Sequence, residues 1–169
     1  METIQLKKLI YNHYDLDVNN LKKLNGYDTE NFLVNCKDES KYILKKYPFS
    51  NENLSLVKAE NNCLEYLIKR NKSSYPSPIY TRNKDSFVTV KIKSKKYIIR
   101  LLSYLDGVFL GEFDLKRQDL KKVGRFIGKL NKELKNYSND FIASRKWPWD
   151  IQNLSLNKKY IKYITEPSD

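Results

Sequence analysis

The chain has 169 residues, 40% of them hydrophobic, with 13 Tyr, 7 Phe and 2 Trp, which is enough apolar material for one packed domain and excludes disorder of the whole chain. No run of about 18 apolar residues exists, which excludes a membrane-spanning helix. The formal net charge is +12, but lysines are spread along every segment (Lys7-Lys8, Lys22-Lys23, Lys95-Lys96, Lys158-Lys159) rather than clustered, so the charge reads as composition and a nucleic-acid partner is disfavoured.

The first residues, Met1 to Ile4, lack the uninterrupted apolar core of a signal peptide. Residues 3–14 carry Ile4, Leu6, Leu9, Ile10 and Tyr14 at helical spacing, and the polar residues from Asp15 to Asn20 end that helix. Three short strands follow, over 21–24, 31–36 and 42–47. The turn Lys37-Asp38-Glu39-Ser40 joins the second to the third, and Pro48 stops the third because it cannot donate to a ladder. The close spacing favours an antiparallel meander. Cys36 and Cys63 make neither a metal spacing nor a disulfide framework, so a reducing cytoplasm is the expected setting.

A long helix is predicted from about 50 to 70, with Leu54, Val57, Leu64, Leu67 and Ile68 on its apolar stripe. Residues 86–92 and 97–102 flank Lys93 to Lys96 and read as a hairpin with strong β propensity. A further helix is predicted over about 115–137, with Leu120, Val123, Ile127, Leu130 and Leu134 as its stripe. Gly124 and Gly128 share one of its faces, where another element could approach closely. The last stretch holds Trp147-Pro148-Trp149-Asp150 and a polar, basic tail with a weak helical signal. The fold class is α+β: five short antiparallel strands with one long inserted helix, then helices.

Glu60 lies on the apolar stripe of the long helix, three after Val57 and four before Leu64. A carboxylate facing a core needs a cation, whereas a half-exposed position at the stripe edge needs none; periodicity serves both readings equally. Lys45 is a candidate partner, since strand alternation turns either Lys45 or Lys46 toward the protein. Gly26 sits at a strand end, in a polar turn whose main-chain N–H groups could cradle phosphate oxygens or simply close a hairpin. The single histidine, His13, reads as a surface or cap residue.

These blocks together resemble the aminoglycoside-phosphotransferase family. The run Leu24-Asn25-Gly26-Tyr27-Asp28-Thr29-Glu30-Asn31-Phe32, followed by Leu44-Lys45, is similar to the L-x-G-Y-D-x-x-N-F and L-K blocks of its hydroxylysine-kinase-like branch. Ala59-Glu60 with Leu64 and Leu67, then Pro76 and Pro78, follow in the family's order. Arg100-Leu101-Leu102-Ser103-Tyr104-Leu105-Asp106-Gly107 resembles the R-L-L-x-Y-L-x-G segment that joins the two lobes. Gly124, Gly128 and Leu130 look like the first large-lobe helix, and Arg145 with Trp149-Asp150 resembles a later W-D motif.

The resemblance implies a protein-kinase-like small lobe over 1–105, with a linker and part of a helical large lobe over 106–169. It implies ATP as the ligand. Gly26, Tyr27 and Asp28 would lie over its phosphates, Lys45 would contact phosphate oxygens, and Glu60 would hold Lys45. Ser103, Tyr104 and Leu105 would line the adenine pocket. Phosphoryl transfer also needs a carboxylate for the attacking hydroxyl and ligands for Mg²⁺. The family's H-G-D-x-x-x-x-N loop and later metal-binding Asp have no counterpart in this sequence. The expectation is therefore the N-terminal, nucleotide-binding portion of a small-molecule phosphotransferase, inactive alone. Its partner would be a separate chain supplying the large lobe, or a second copy of itself. The alternatives are a non-catalytic binding module and, behind it, a basic nucleic-acid-binding domain. If large-lobe helices are absent, the outer face of the 115–137 helix should expose apolar residues.

Overall fold

A computed structural model of the chain describes residues 2–27, 29–112 and 114–164. The elements are α1 (Glu2–Tyr14), β1 (Val18–Leu24), β2 (Glu30–Cys36), β3 (Lys41–Pro48), α2 (Asn51–Ile68), β4 (Pro78–Ile79), β5 (Val88–Ile92), β6 (Lys95–Ser103), α3 (Arg117–Leu134), α4 (Asp140–Ser144) and a 3-10 segment over Ile151–Tyr163. They divide into two compact units, Met1–Tyr137 and Ser138–Asp169.

In the first unit β1, β2, β3 and β6 lie side by side, each antiparallel to its neighbour. The far edge of β6 is shared: β5 pairs along Lys95–Ile99, and β4 pairs at Leu101 and Leu102. The sheet thus has a sixth strand beyond the five read from sequence. It is two residues long and begins with a proline, so it carries no strand signal of its own.

Alternation along the strands loads both faces. Val34, Leu44, Ile99 and Leu101 have no solvent exposure and pack with Leu6, Ile10 and Tyr14 of α1. Each such side chain contributes roughly 1.5–3 kcal/mol by leaving water. Tyr47 and Ile98 point the other way, into a smaller cluster with Val57 of α2. The sheet is therefore a middle layer between α1 and α2. Helix α1 stops at Asp15, whose φ of 60° is left-handed, and the Asp15 carboxylate pairs with Arg82. Helix α2 starts at Ser50, whose side chain accepts from the Asn53 N–H at 3.0 Å.

Helix α3 packs within this unit through its last turns and the residues just after. Tyr75 donates to Glu133 at 2.7 Å, Tyr137 donates to the Ala59 carbonyl at 3.4 Å, and the Tyr66 and Tyr137 rings lie 4.9 Å apart. Of its predicted stripe, Leu120 and Ile127 are exposed; Phe126, also partly exposed, lies on the packed side with its ring 6.1 Å from that of Tyr75. A side chain added at Gly124 or Gly128 would meet open space, so no described element uses the close approach these glycines permit.

In the second unit Asn139 caps α4, accepting from the Ile142 N–H at 3.1 Å, and the Arg145 guanidinium stacks 4.1 Å from the centre of the Trp147 ring. The tail, weakly helical by sequence, forms the 3-10 segment with a non-helical Asn153 inside it. Among the described residues no helix is long and apolar enough to cross a membrane.

Candidate functional site

One row of residues crosses the sheet and organises the site. Leu24 of β1 is opposite Asn31 of β2, Asn31 is opposite Lys45 of β3, and Lys45 is opposite Arg100 of β6. Directly opposed residues in antiparallel strands share a face, here the face that α2 covers.

Glu60 takes its cation from this row, but the cation is Arg100 rather than Lys45. The Arg100 guanidinium, 2% exposed, bonds the Glu60 carboxylate through Nη2. The same Nη2 donates to the Tyr47 hydroxyl at 2.8 Å, and Nη1 donates to Asn61 Oδ1 at 2.6 Å. Asn61 is itself buried and donates to Ser86 Oγ at 3.0 Å. A guanidinium offers five donors in a planar fork, so it engages three partners where an ammonium would act as a point charge. Burial pushes the Tyr47 phenol up to about 12.

Lys45 has no carboxylate within ion-pair distance among the described residues, and its ammonium lies 6.0 Å from the centre of the Tyr47 ring. Its pKa is lowered, first by burial and then by the Arg100 charge, with Glu60 opposing. Lys46 points to the opposite face, where it is 3% exposed and pairs with Glu30 at 2.7 Å. Both lysines therefore face protein, on opposite sides of the sheet: Lys45 lines the larger of two neighbouring cavities and Lys46 the smaller.

The larger cavity is about 420 Å³, within the size range of small-molecule sites. Leu24, Ile43 and Leu102 wall it from the sheet, Lys45 supplies charge, and Ser103, Tyr104 and Leu105 form its rim. Ser103 is held in place: its N–H donates to Ser77 O at 2.9 Å, and its Oγ accepts from the Ser77 N–H at 2.8 Å. The main-chain groups of Tyr104 and Leu105 make no hydrogen bond with other described residues, so they are available to a planar ligand edge.

The glycine turn opens onto a neighbouring cavity of about 260 Å³, lined in part by Gly26, Tyr27, Thr29 and Lys46. Leu24 borders both cavities. Gly26 is required by close approach: a Cβ there would sit 2.2 Å from the Thr29 carbonyl oxygen. Asp28 lies outside the described residues. Of the residues singled out from sequence, Lys45, Ser103, Tyr104 and Leu105 come together in one cavity, Gly26 and Tyr27 line the next, and Glu60 stands behind, bonded to Arg100. Arg100 was legible only as part of the R-L-L block. Alternation along β6 carries the missed signal, placing it with Ile98 and Leu102 on the α2 face. Among the described residues no group of three His, Cys, Asp or Glu side chains could hold a metal ion.

No family model matches the sequence. The chain is 23% identical over 179 residues to hydroxylysine kinase of Mus musculus, covering 96% of this chain and 47% of that protein. It is 26% identical over 176 residues to hydroxylysine kinase of Bos taurus, covering 94% and 46%. The chain spans about half the length of the curated relatives it matches. Among solved structures, an amicoumacin kinase in complex with AMP-PNP, Ca2+ and Ami superposes with a TM-score of 0.68 at 15% identity, over 88% of this chain and 45% of that one. A microcompartment-associated aminopropanol kinase superposes with a TM-score of 0.66 at 20% identity, over 87% and 45%. The fold is thus the kinase-like one.

Proposed function

We propose that the chain is the ATP-binding, N-terminal portion of a small-molecule phosphotransferase of the aminoglycoside-phosphotransferase-like family, a reading supported by its similarity to hydroxylysine kinases and by the kinase-like fold. The observation that carries the proposal is the cavity that joins Lys45 to the Ser103–Leu105 rim. In this reading the adenine lies between Leu24, Ile43 and Leu102, with its edge on the main chain of Tyr104 and Leu105. The phosphates run toward the Lys45 ammonium and on beneath Gly26, Tyr27 and Asp28. Lys45 binds and orients phosphate oxygens, and Glu60 acts from behind through Arg100.

Residues 1–105 would hold the nucleotide and 106–169 would begin the large lobe. Mg²⁺ accompanies ATP in phosphotransferases, but the described residues offer it no ligand set and no step is routed through it. The sequence contains no H-G-D-x-x-x-x-N loop, so no transfer step is assigned to its residues, and the chain alone is proposed to be inactive. That absence also favours the second reading, a non-catalytic nucleotide-binding module on the same fold. The setting is proposed to be cytoplasmic. The proposed partner is a chain that supplies the large lobe, or a second copy, meeting the exposed Leu120 and Ile127.

Isothermal calorimetry of the chain with ATP tests the proposal. One site per chain is expected, with affinity weakened roughly tenfold or more in Lys45→Ala, the loss of one charge-assisted contact. Binding that ignores Lys45 would contradict the assignment. Turnover of ATP with hydroxyl-bearing amines by the pure chain would contradict its inactivity.

A further inference from the structure

We infer that Arg100 is a positioning residue of the nucleotide site: by holding Glu60 it leaves the Lys45 ammonium with no carboxylate partner among the described residues, so that the cavity carries a surplus positive charge and selects nucleotides by their phosphates. This rests on the nucleotide reading above.

The geometry sets two cations against one carboxylate. Lys45 and Arg100 are opposed on neighbouring strands, where like charges repel. One carboxylate, Glu60, serves them, and it is bonded to Arg100. The choice follows from burial. The Arg100 side chain is 2% exposed, so an unpaired guanidinium there would be costly, whereas Lys45 can turn its ammonium to the cavity. The guanidinium is also fixed from two further sides, by Asn61 and by Tyr47, so it cannot swing away and release Glu60 without leaving those groups unpaired. Among the described residues, the groups that bear on Lys45 are Arg100 from β6 and Glu60 from α2, with Tyr47 of its own strand and the uncharged Asn31 of β2 beside it. Their net charge together with Lys45 is one positive. A polyphosphate supplies the counter-charge that the protein withholds.

A purely structural Arg100 would affect stability and nothing else. A positioning Arg100 also moves the titration of Lys45, which can be followed without nucleotide by NMR of ε-¹³C-labelled lysine, with Lys45→Arg to assign the signal. In the wild type Lys45 should titrate below an ordinary lysine. In Arg100→Met its titration should shift upward, because a repelling charge is gone and Glu60 is freed to pair with it. In Glu60→Gln, which keeps Arg100, it should shift downward. If Arg100→Met fails to fold, the Glu60→Gln shift decides. A Lys45 titration unmoved by both changes, or moved upward by Glu60→Gln, would overturn the inference.

Calorimetry with ATP, AMP and adenosine gives the second readout. The wild type should prefer ATP to adenosine by roughly tenfold or more. Arg100→Met should shrink that ratio while leaving adenosine affinity nearly unchanged; an unchanged ratio would overturn the inference with the nucleotide reading intact. A wild type that binds no nucleotide would overturn the nucleotide reading and with it the selection by phosphates, while the Lys45 titration still judges the role of Arg100.

Discussion

Lys45 and Arg100 stand directly opposite each other on β3 and β6, and Glu60 is bonded to Arg100. One cation of the row is locked into the interior beneath α2, and the other is left to line the cavity. This division of labour between two neighbouring charges generates most of the tests of the site.

Removing the partners of Arg100 should destabilise the fold. Breaking a fully buried ion pair costs about 3–5 kcal/mol. The Glu60 side chain is 39% exposed and two other acceptors remain, so Glu60→Gln should cost less, about 1–3 kcal/mol. Asn61→Ala, which strips a bond from Arg100 and one from Ser86, should cost about 2–3 kcal/mol. Urea unfolding midpoints at constant slope measure both. Wild-type stability in either variant would mean that the Arg100 cluster does not hold α2 to the sheet.

Lys45 should cost the fold stability at neutral pH. Its folded pKa lies below the ordinary 10.5, so the unfolded chain binds that proton more tightly. The cost is full below the lowered value and is relieved as pH rises from there to about 10.5. Lys45→Met should therefore match or exceed wild-type stability at pH 7. The difference should shrink on going alkaline. A variant that is less stable at pH 7, with no pH trend, would contradict the environment described for Lys45.

Gly26→Ala tests the glycine turn. The new Cβ would overlap the Thr29 carbonyl and also approach Asn31 Nδ2 at 2.5 Å, so the turn between β1 and β2 must open. A loss of about 1–3 kcal/mol is expected, with hydrogen exchange accelerated at the facing ends of β1 and β2. An unchanged exchange pattern would show that the turn has room to spare.

Much of this was legible in the sequence, and the illegible parts have physical causes. Helices α1 and α2 announced themselves because each buries one stripe against one sheet face, which imposes a 3.6-residue period. Whether Glu60 needed a cation was only half readable, since its place on the stripe fits a paired carboxylate and a half-exposed one alike, and the structure gives it both a partner and 39% exposure. The identity of that partner was not readable. Arg100 sits in an apolar run, and its pairing with Lys45 across β3 and β6 joins residues more than fifty positions apart, which no local period reports. Strand β4 escaped because two residues ending a proline-rich turn have no alternation to read. The tail followed the same rule in reverse: among its described residues Ile151, Leu154 and Ile161 are exposed, so no burial pattern was imposed on its sequence.

The apolar side of α3 should make the chain associate. Leu120 and Ile127 are 56% and 50% exposed and seven residues apart on one side of the helix, and exposed apolar surface of that kind favours contact with a partner. Light scattering coupled to gel filtration should show mass rising with concentration, and Leu120→Lys with Ile127→Lys should suppress the rise. A strictly monomeric wild type at high concentration would contradict this.

The central claim is where the nucleotide sits, and NMR mapping tests it most directly. Titrating AMP-PNP into the ¹⁵N-labelled chain should perturb the amides of Leu24, Ile43, Lys45 and Ser103 to Leu105 together, with weaker effects at Gly26 and Tyr27. Perturbations confined to other surfaces, or none up to millimolar ligand, would contradict the account.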